Sequence, residues 1–459
     1  MVSLASASAS ASDARPQPSL RRLILTGSAV EMLGYGVGQI VRFGSNLLLS
    51  RLLSPQAFGI MALVNIVNQG LIMFSDAGLH AAVIQSERGE DRSFLNTIFT
   101  WQAVRGVLLW GVACLCAWPL SLLYHEPLLS TLIPIGSLAV AILGFHSTSL
   151  YSLRRRLRLT PLVFTEVGAQ IVSVTVMVAW AVWRPSVWAL LSGAIVTALV
   201  TTIGSHLLRV GYRNHFEWDR GSVRALLNFG KWLAGSSMLT FLSAQGDRLL
   251  LGHFLGTTRL GVYSVAVLLS GAFGEAISRI ASGVLFPAYS RAHQEGVQRL
   301  RQVYLKTRLS VDALVMPALG ALSVLGAHIV ALLYDPRYRD AGWMLQVLSV
   351  RIALGAIVAP CQYVLFAVGE PRYGFYLNLA RALWLVIAVP LGFHYFDVLG
   401  LVWAVALCEL AALAVALPAV ARRVSAGREL VAPLLFGTGA LLGLLLRRAL
   451  EQHWPLLLH

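Results

Sequence analysis

Long apolar segments, separated by short polar loops, constrain this chain more than any other feature of its sequence. A helix of about 20 residues crosses the roughly 30 Å hydrocarbon core of a bilayer. The segments lack the alternation of strands, which predicts a helical bundle and not a barrel. Only 12% of the residues are charged, so the chain needs lipid as its solvent. We predict spans at 27–50, 57–80, 96–122, 128–150, 162–183, 187–209, 229–252, 261–286, 309–333, 344–368, 374–396 and 400–421, and a thirteenth near 430–447.

Arginine and lysine are distributed unevenly between the two sides of these spans. If the N-terminus is cytoplasmic, the cytoplasmic segments hold 23 of these residues and the opposite loops hold 5. This bias predicts a multi-pass membrane protein with a cytoplasmic N-terminus. The net charge of +15 then reflects topology and not nucleic-acid binding. The predicted cytoplasmic loops are 86–93, 151–160, 210–228 and 290–307.

The two ends of the chain lie outside this pattern. Residues 1–26 are predicted to be a disordered cytoplasmic tail. Glu31 interrupts the apolar run that a signal peptide would need. Arg447 and Arg448 oppose the charge bias if the thirteenth segment crosses the membrane, so the side and the role of 430–459 stay open.

One segment of the sequence occurs twice. SNLLLSRLLSPQAFG at 45–59 recurs as DRLLLGHFLGTTRLG at 247–261, with a constant offset of 202 residues. Six spans separate the copies, so both cross the membrane in the same direction. Parallel repeats of this kind are typical of transporters with a site between two bundles. A chance recurrence of leucines is the alternative.

The repeat predicts an all-α integral membrane protein in which two parallel-repeat six-helix bundles surround a central cavity. The bundles comprise 27–209 and 229–421. A basic cytoplasmic linker at 210–228 joins them, and an extra helix and tail follow at 422–459.

Polar side chains inside spans are expensive in lipid and usually face a cavity or a partner. At about 100° per residue, they form stripes on the spans that begin each predicted bundle. The stripe on the first span contains Glu31, Tyr35, Gln39, Arg42 and Asn46, and the stripe on the seventh contains Ser236, Thr240, Ser243 and Asp247. The second span carries Asn65, Gln69 and Asp76, and the eighth carries Ser264, Glu275, Arg279 and Ser282. The first and seventh stripes can face each other, or the asparagines and serines can simply bond packed helices.

Arginines outnumber acids inside the spans. Arginine keeps its charge, and its planar guanidinium matches phosphate, so the balance predicts an anionic cargo. The candidate substrate-binding residues are Arg42, Asn46, Arg105, Arg248, Arg279, Arg351 and Arg381. The candidates for coupling to H⁺ or Na⁺ are Asp247, Glu31 and Glu275. Alternatively, Glu275 and Arg279 neutralise each other at i and i+4, and Asp247 belongs to a packing network.

The sequence contains four cysteines and no motif that is typical of catalysis or metal binding. Cys114, Cys116, Cys361 and Cys408 fall in or beside spans and indicate neither a metal cluster nor a disulfide. We find no nucleophile elbow, phosphate loop or zinc motif. The sequence therefore predicts no catalytic residue, no metal and no cofactor.

Several stretches resemble the polysaccharide transporter family, which includes the Wzx-type flippases of lipid-linked oligosaccharides. They are RLLSPQAFGIMALV, FSDAGLHAAVIQ, NFGKWL, DRLLLGHFLGTTRLGVYSVA and VLFPAYSR. The likeness is greatest to the exopolysaccharide, colanic-acid-like branch. This family belongs to the multidrug/oligosaccharidyl-lipid/polysaccharide exporter superfamily. The resemblance implies two bundles around a cationic cavity.

The same resemblance implies a function. The cargo would be oligosaccharide units on undecaprenyl pyrophosphate, moved across the bacterial inner (cytoplasmic) membrane by alternating access for exopolysaccharide or lipopolysaccharide synthesis. Membrane lipids, and the polymerase and chain-length or export proteins of the same pathway, would be partners. A membrane polysaccharide polymerase or ligase is one rival, although the short loops leave little room for its catalytic groups. A drug exporter is the other rival, which the arginines disfavour.

Overall fold

The computed structural model describes residues 20–75, 91–208, 213–424 and 431–453, in which the regular elements are helices. A π-helical turn, Ala281–Leu285, lies between the helical segments Arg220–Ile280 and Phe286–Gln294. The helices are α1 (Leu20–Leu52), α2 (Pro55–Ser75), α3 (Arg92–Leu123), α4 (Leu129–Gly144), α5 (Ser149–Arg155), α6 (Thr160–Trp183), α7 (Val187–Leu207), α8 and α9 (220–255 and 257–280, the two parts of Arg220–Ile280), α10 (Phe286–Gln294), α11 (Val297–Leu333), α12 (Ala341–Ala367), α13 and α14 (372–395 and 398–406, the two parts of Arg372–Ala406), α15 (Cys408–Val424) and α16 (Val431–His453).

Two long helical segments are each broken within their length, where one membrane span ends and the next begins. An unbroken Arg220–Ile280 would extend about 90 Å, three times the thickness of the hydrocarbon core. The chain instead breaks at Gly256, whose φ of +74° is readily adopted only by glycine. Arg372–Ala406 breaks at Phe396 and Asp397.

The described helices account for the predicted spans. Eight helical segments are long and apolar enough to cross a membrane, and two of these contain the breaks above. α4 and α5 together form one further span, bent by 60°. α1 is less apolar because it carries the polar stripe, and it completes the twelve; α16 corresponds to the thirteenth. Asp76, residues 1–19 and the last six residues lie outside the described residues, and the predicted bundle boundaries at 209 and 229 stay predictions.

The repeated segment forms two corners, α1–α2 and α8–α9, that pack directly against each other. The break at Gly256 is equivalent to Ser54 in the first copy. A Cβ atom on Gly59 would lie 1.7 Å from the carbonyl oxygen of Thr257, and one on Gly261 would lie 1.8 Å from that of Pro55. Pro55 and Thr257 are themselves equivalent, so the contact is a symmetric exchange between the copies. Both copies keep glycine because the two backbones touch there.

The linker between the lobes is an extended strap, residues 213–219, that lies along α3. The Glu217 amide donates to the hydroxyl of Thr100 (2.9 Å), and the Asp219 amide donates to that of Thr97 (3.2 Å). The Glu217 carboxylate accepts a bond of 2.9 Å from Asn96. The strap is thus bound to the N-terminal lobe. Helix α8 begins at 220, within the predicted linker, since the Asp219 side chain accepts a bond from a backbone amide of the first turn.

Helix α16 packs along α11 through small residues. A Cβ atom on Gly439 would lie 2.0 Å from the Pro317 oxygen, and one on Gly443 would lie 3.1 Å from Cα of Ala321. Such close backbone approach is typical of helices that associate in lipid. Contacts advance in the same direction on both helices, so α16 runs parallel to α11. This geometry favours a spanning helix over an interfacial one.

Candidate functional site

A cavity of about 230 Å³ lies between α1, α5, α6 and α9, and we call it the central cavity. The polar stripe of α1 forms one wall. On the other side α1 packs tightly on α6, where a Cβ atom on Gly34 would lie 2.2 Å from Val163. The lining residues include Glu31, Gly34, Tyr35, Gly38, Gln39, Arg42, Arg154, Leu159, Leu162, Val163, Glu166, Val167, Gln170 and Arg279.

Polar contacts join α1 to α9 across this cavity. The Gln39 amide donates to Glu275 (2.9 Å), and Arg279 donates to the other oxygen of that carboxylate (3.2 Å). The Arg279 guanidinium lies 3.5 Å from the centre of the Tyr35 ring. The prediction that Glu275 and Arg279 neutralise each other is confirmed. Because the Arg279 side chain remains 52% exposed, it still has donors for a ligand.

Two charged side chains of the stripe have no such partner. The Arg42 and Glu31 side chains are exposed in the central cavity, and neither side chain forms a hydrogen bond or ion pair with the described residues. Arg42 is therefore a cation available to an incoming anion.

The sequence did not single out two further charges of this cavity as ligand contacts. Arg154, which lies in the predicted cytoplasmic loop 151–160, is 3.5 Å from Glu166 of α6. Both side chains are exposed, so their attraction is weak and can be exchanged for a ligand. The i, i+4, i+8 spacing of Leu162, Glu166 and Gln170 places these residues on one face of a helix, and this spacing was the signal in the sequence for their shared site.

The opposite end of the molecule, on the side of the repeated corners, is closed. Asn46 accepts a bond of 2.8 Å from the Tyr334 hydroxyl. Arg337 donates to the Arg51 carbonyl (3.1 Å), and Tyr338 donates to the Leu53 carbonyl (3.4 Å). Asn46 was a candidate ligand residue, but the structure places it in this closure, one stripe position beyond the cavity.

Asp247 is part of a buried network in the C-terminal lobe. Its carboxylate is 2% exposed and accepts bonds from Arg351 (2.8 Å) and the Tyr263 hydroxyl (2.9 Å). The backbone amide of Arg248 also donates to it (2.8 Å), while the Arg248 guanidinium donates to Gln245. Asp247 was a candidate for ion coupling, but in this conformation it is buried and is not among the residues that line the central cavity. Burial satisfied by these donors is the packing role that the sequence left as an alternative.

A second ion pair links the last helices of that lobe. Arg381 donates to both carboxylate oxygens of Glu409 (2.9–3.1 Å) and to Asn378 (3.0 Å). Asn378 in turn donates to Thr240, a member of the α8 stripe. That stripe therefore faces α12 and α13, and the idea that it faces the α1 stripe is wrong here. Neighbouring helices, which periodicity does not specify, decide where a stripe points.

Arg105 belongs neither to the central cavity nor to the ion-pair networks of the C-terminal lobe. It lines a separate cavity of about 260 Å³ between α2, α3 and the bend of the fourth span, and donates to the Ile72 carbonyl (3.5 Å). The structure thus gathers Glu31, Arg42, Glu275 and Arg279 into one site. It places the remaining candidates elsewhere.

Comparisons with known proteins agree with this architecture. The model of the family "polysaccharide biosynthesis protein" matches residues 48–342. The succinoglycan biosynthesis transport protein ExoT of Rhizobium meliloti (strain 1021) is 25% identical over 75% of this chain and 69% of its own length. The lipopolysaccharide biosynthesis protein WzxC of Escherichia coli (strain K12) is 23% identical over 82% of this chain and 76% of its own.

A solved structure has the same fold. The lipid II flippase MurJ, in an inward closed conformation, superposes with a TM-score of 0.68 at 11% identity, covering 93% of this chain and 99% of that chain. The all-helical, two-lobed architecture is therefore shared with a flippase. Because the family match covers more than half of the sequence, this chain belongs to the polysaccharide biosynthesis protein family.

Proposed function

We propose that this protein is a flippase that moves undecaprenyl-pyrophosphate-linked oligosaccharides across the bacterial inner membrane for exopolysaccharide or lipopolysaccharide synthesis. The observation that carries this proposal is Arg42, which has no partner among the described residues and lies in a polar cavity that is closed at its other end. The transport role in the names of the relatives supports it.

Charge and burial indicate how such a cargo would bind. A pyrophosphate presents oxygens that the forked guanidinium of Arg42 can bond in pairs. Arg279 can share its donors between Glu275 and the cargo, because it is half exposed. Each sugar hydroxyl that loses water costs about 2–7 kcal/mol in apolar surroundings. A polar cavity removes most of this cost, while the lipid tail stays in the bilayer.

The positive-inside bias assigns the side of the N-terminus to the cytoplasm. The central cavity is lined by the turns of α1, α5 and α6 on that side, and the repeated corners close the opposite side. In this orientation the structure corresponds to a state that loads cargo from the cytoplasm. Separation of the two corners, with closure around α1 and α9, would expose the cargo to the other side.

Coupling to H⁺ or Na⁺ remains part of the proposal, but its site moves. Asp247 already has three donors and is buried. Glu31 and Glu275 lie at the central cavity, beside Arg42, where binding of a cation and of an anion would influence each other. We therefore assign coupling to these two carboxylates.

The rival functions fit less well. A polymerase or ligase would need catalytic groups outside the membrane, and the segment between α11 and α12, residues 334–340, is short. A drug exporter for cations would not benefit from an exposed arginine in its cavity. The polymerase and the export proteins of the pathway stay proposed partners.

Flipping in liposomes tests the proposal directly. Purified protein is reconstituted with labelled undecaprenyl-pyrophosphate-linked oligosaccharide, and the label exposed on each face is followed over time. We expect transport by the parent and a loss of at least tenfold in Arg42→Ala. Arg184→Ala is the matched control, since Arg184 is an exposed arginine in the loop between α6 and α7, outside the cavity. No flipping by the parent, or equal flipping by Arg42→Ala, would refute the assignment.

A further inference from the structure

Two more cavities lie beside the central cavity in the N-terminal lobe. A side cavity of about 170 Å³ shares Arg154, Leu162 and Glu166 with the central cavity. The α3 cavity of about 260 Å³, already described around Arg105, shares His146 and Tyr151 with the side cavity. The three cavities are therefore neighbours from α1 to α3, and the ion pair of Arg154 and Glu166 lies in the wall that the central cavity shares with the side cavity.

The bend of the fourth span creates this space. Between α4 and α5 the chain turns by 60°, which leaves backbone groups without helical partners. Side chains satisfy them: the Gln102 amide donates to the His146 carbonyl, and the His146 ring bonds the Leu143 carbonyl through Nδ1. The Tyr151 hydroxyl donates to Gln102 (3.3 Å). The walls are thus held by side chains that are already fixed in position.

The hydrogen bond from His146 Nδ1 to the Leu143 carbonyl determines which kind of ligand group the second ring nitrogen, Nε2, can bind. A carbonyl only accepts, so Nδ1 must carry the proton in that bond. Nε2 of the neutral ring is then an acceptor, and it makes no hydrogen bond with the described residues. An acceptor repels phosphate oxygens and binds hydroxyl hydrogens.

A second polar group completes this pattern. Thr201 of α7 lines the side cavity, and its hydroxyl has no hydrogen-bond partner among the described residues. Thr165 on the facing helix donates to the Pro161 carbonyl and keeps its lone pairs for a donor. Tyr151 adds a ring whose edge-to-face contact with His146, at 5.6 Å, fixes its plane. Neutral acceptors, a hydroxyl and an aromatic ring suit a neutral polyhydroxylated ligand.

We propose that the side cavity and the α3 cavity form the subsite for the sugar part of the cargo, with His146 and Thr201 as hydrogen-bonding residues. This inference rests on the proposed function, because it places the pyrophosphate at Arg42 and the sugars beyond Arg154. Exchange of Arg154 from Glu166 to the pyrophosphate would widen the passage between the cavities. The subsite would then contribute to the choice of oligosaccharide, while the central cavity recognises the anion that all such lipids share.

Binding of two lipids separates the subsite from the anion site. The probes are sugar-free undecaprenyl pyrophosphate and the lipid-linked oligosaccharides extracted from cells that lack this transporter. Dissociation constants are measured with purified protein in nanodiscs without phosphatidylglycerol, which excludes a hydroxyl-rich lipid headgroup. The variants are His146→Leu, Thr201→Val and Arg42→Ala. Thr175→Val is the matched control, because Thr175 is an exposed threonine of α6 that is not among the residues lining the three cavities.

We expect Thr201→Val and His146→Leu to weaken oligosaccharide binding about three- to tenfold each, as for the loss of one neutral hydrogen bond. Binding of the sugar-free lipid should not change in these variants, and Arg42→Ala should weaken both lipids. Unchanged oligosaccharide binding in both subsite variants, or equal losses for the two lipids, would overturn the subsite and leave the proposed function intact. If the parent binds neither lipid, the proposed function fails together with the subsite.

Discussion

The symmetric contact of the repeated corners predicts the effect of a single methyl group on transport. Gly59→Ala places a Cβ atom 1.7 Å from the Thr257 carbonyl oxygen, where real Cβ contacts are essentially never shorter than 3.0 Å. The obstructing atom is backbone and cannot rotate away. The two lobes must therefore separate by roughly 1 Å or more at this end, as close-packed interiors have no spare volume.

The cost determines the expected shift in conformation. Overpacking of this kind costs about 1–3 kcal/mol, which corresponds to about a 5- to 150-fold change in an equilibrium constant. The penalty applies only while the corners touch, so the ratio of the closed-corner to the open-corner state should fall by that factor. An alanine in a helix is otherwise favoured over glycine by roughly 0.5–1 kcal/mol. A decrease in the population of the closed-corner state therefore indicates a gate contact, whereas the helix propensity of alanine alone would stabilise the helix.

Distance measurements between spin labels check this prediction. Labels at Arg184 and Arg339 lie on exposed loops of different lobes, on the side of the corners. We expect Gly59→Ala to increase the population of long distances and to slow flipping. Gly271→Ala is the matched control, since a Cβ atom at Gly271 meets nothing within 4 Å.

The reciprocal variant guards against a trivial loss of folding. Gly261→Ala should produce the same shift, because its methyl group meets the Pro55 carbonyl at 1.8 Å. The double variant with Gly59→Ala should cost less than the two single effects added, since parted corners accommodate both methyl groups. A distance distribution and transport rate equal to the parent's in Gly59→Ala would refute the gate.

Further predictions concern charge and topology. Arg42→Lys should restore only part of the flipping lost in Arg42→Ala, because lysine lacks the forked geometry, and full restoration would argue against paired phosphate bonds. Asp247→Asn should destabilise the protein by about 3 kcal/mol, since it leaves the Arg351 charge without its buried partner, and an unchanged melting temperature would contradict this. Hydrogen bonds from the start of α3, first from a serine and then from an asparagine, lower the pKa of Glu217, the carboxylate of the strap. The strap should therefore stay attached to α3 above the ordinary carboxylate pKa near 4.3, and it should detach as the pH falls through the lowered pKa. Hydrogen exchange of the strap amides checks this. A cysteine at Gln294 should resist impermeant reagents applied to intact cells, and rapid labelling would reverse the assigned orientation.

Much of the architecture was predictable because hydrophobic length and charge bias are properties of the chain itself. The sequence predicted the spans, and the structure extends several of them beyond the hydrocarbon, as at α11, which begins at Val297. The stripe on α1 was predictable as well, since the spacing of Glu31, Gln39 and Arg42 places them on one face whatever surrounds the helix. Gly59 and Gly261 share the constant offset of 202 residues, which indicated a repeat but not that the two glycines would meet.

Which arginine stays available was decided only by the tertiary structure. By residue type and depth, Arg42, Arg351 and Arg381 are alike in the sequence. Folding brings Asp247 to Arg351 and Glu409 to Arg381, and these pairs join helices that are far apart along the chain. Attraction between charges depends on their distance in space and on the loss of water around them, and neither can be read from a helical period. The sequence therefore determined that the membrane interior contains more arginines than carboxylates, and the packing of helices determined that Arg42, of these three arginines, stays without a partner among the described residues in the central cavity.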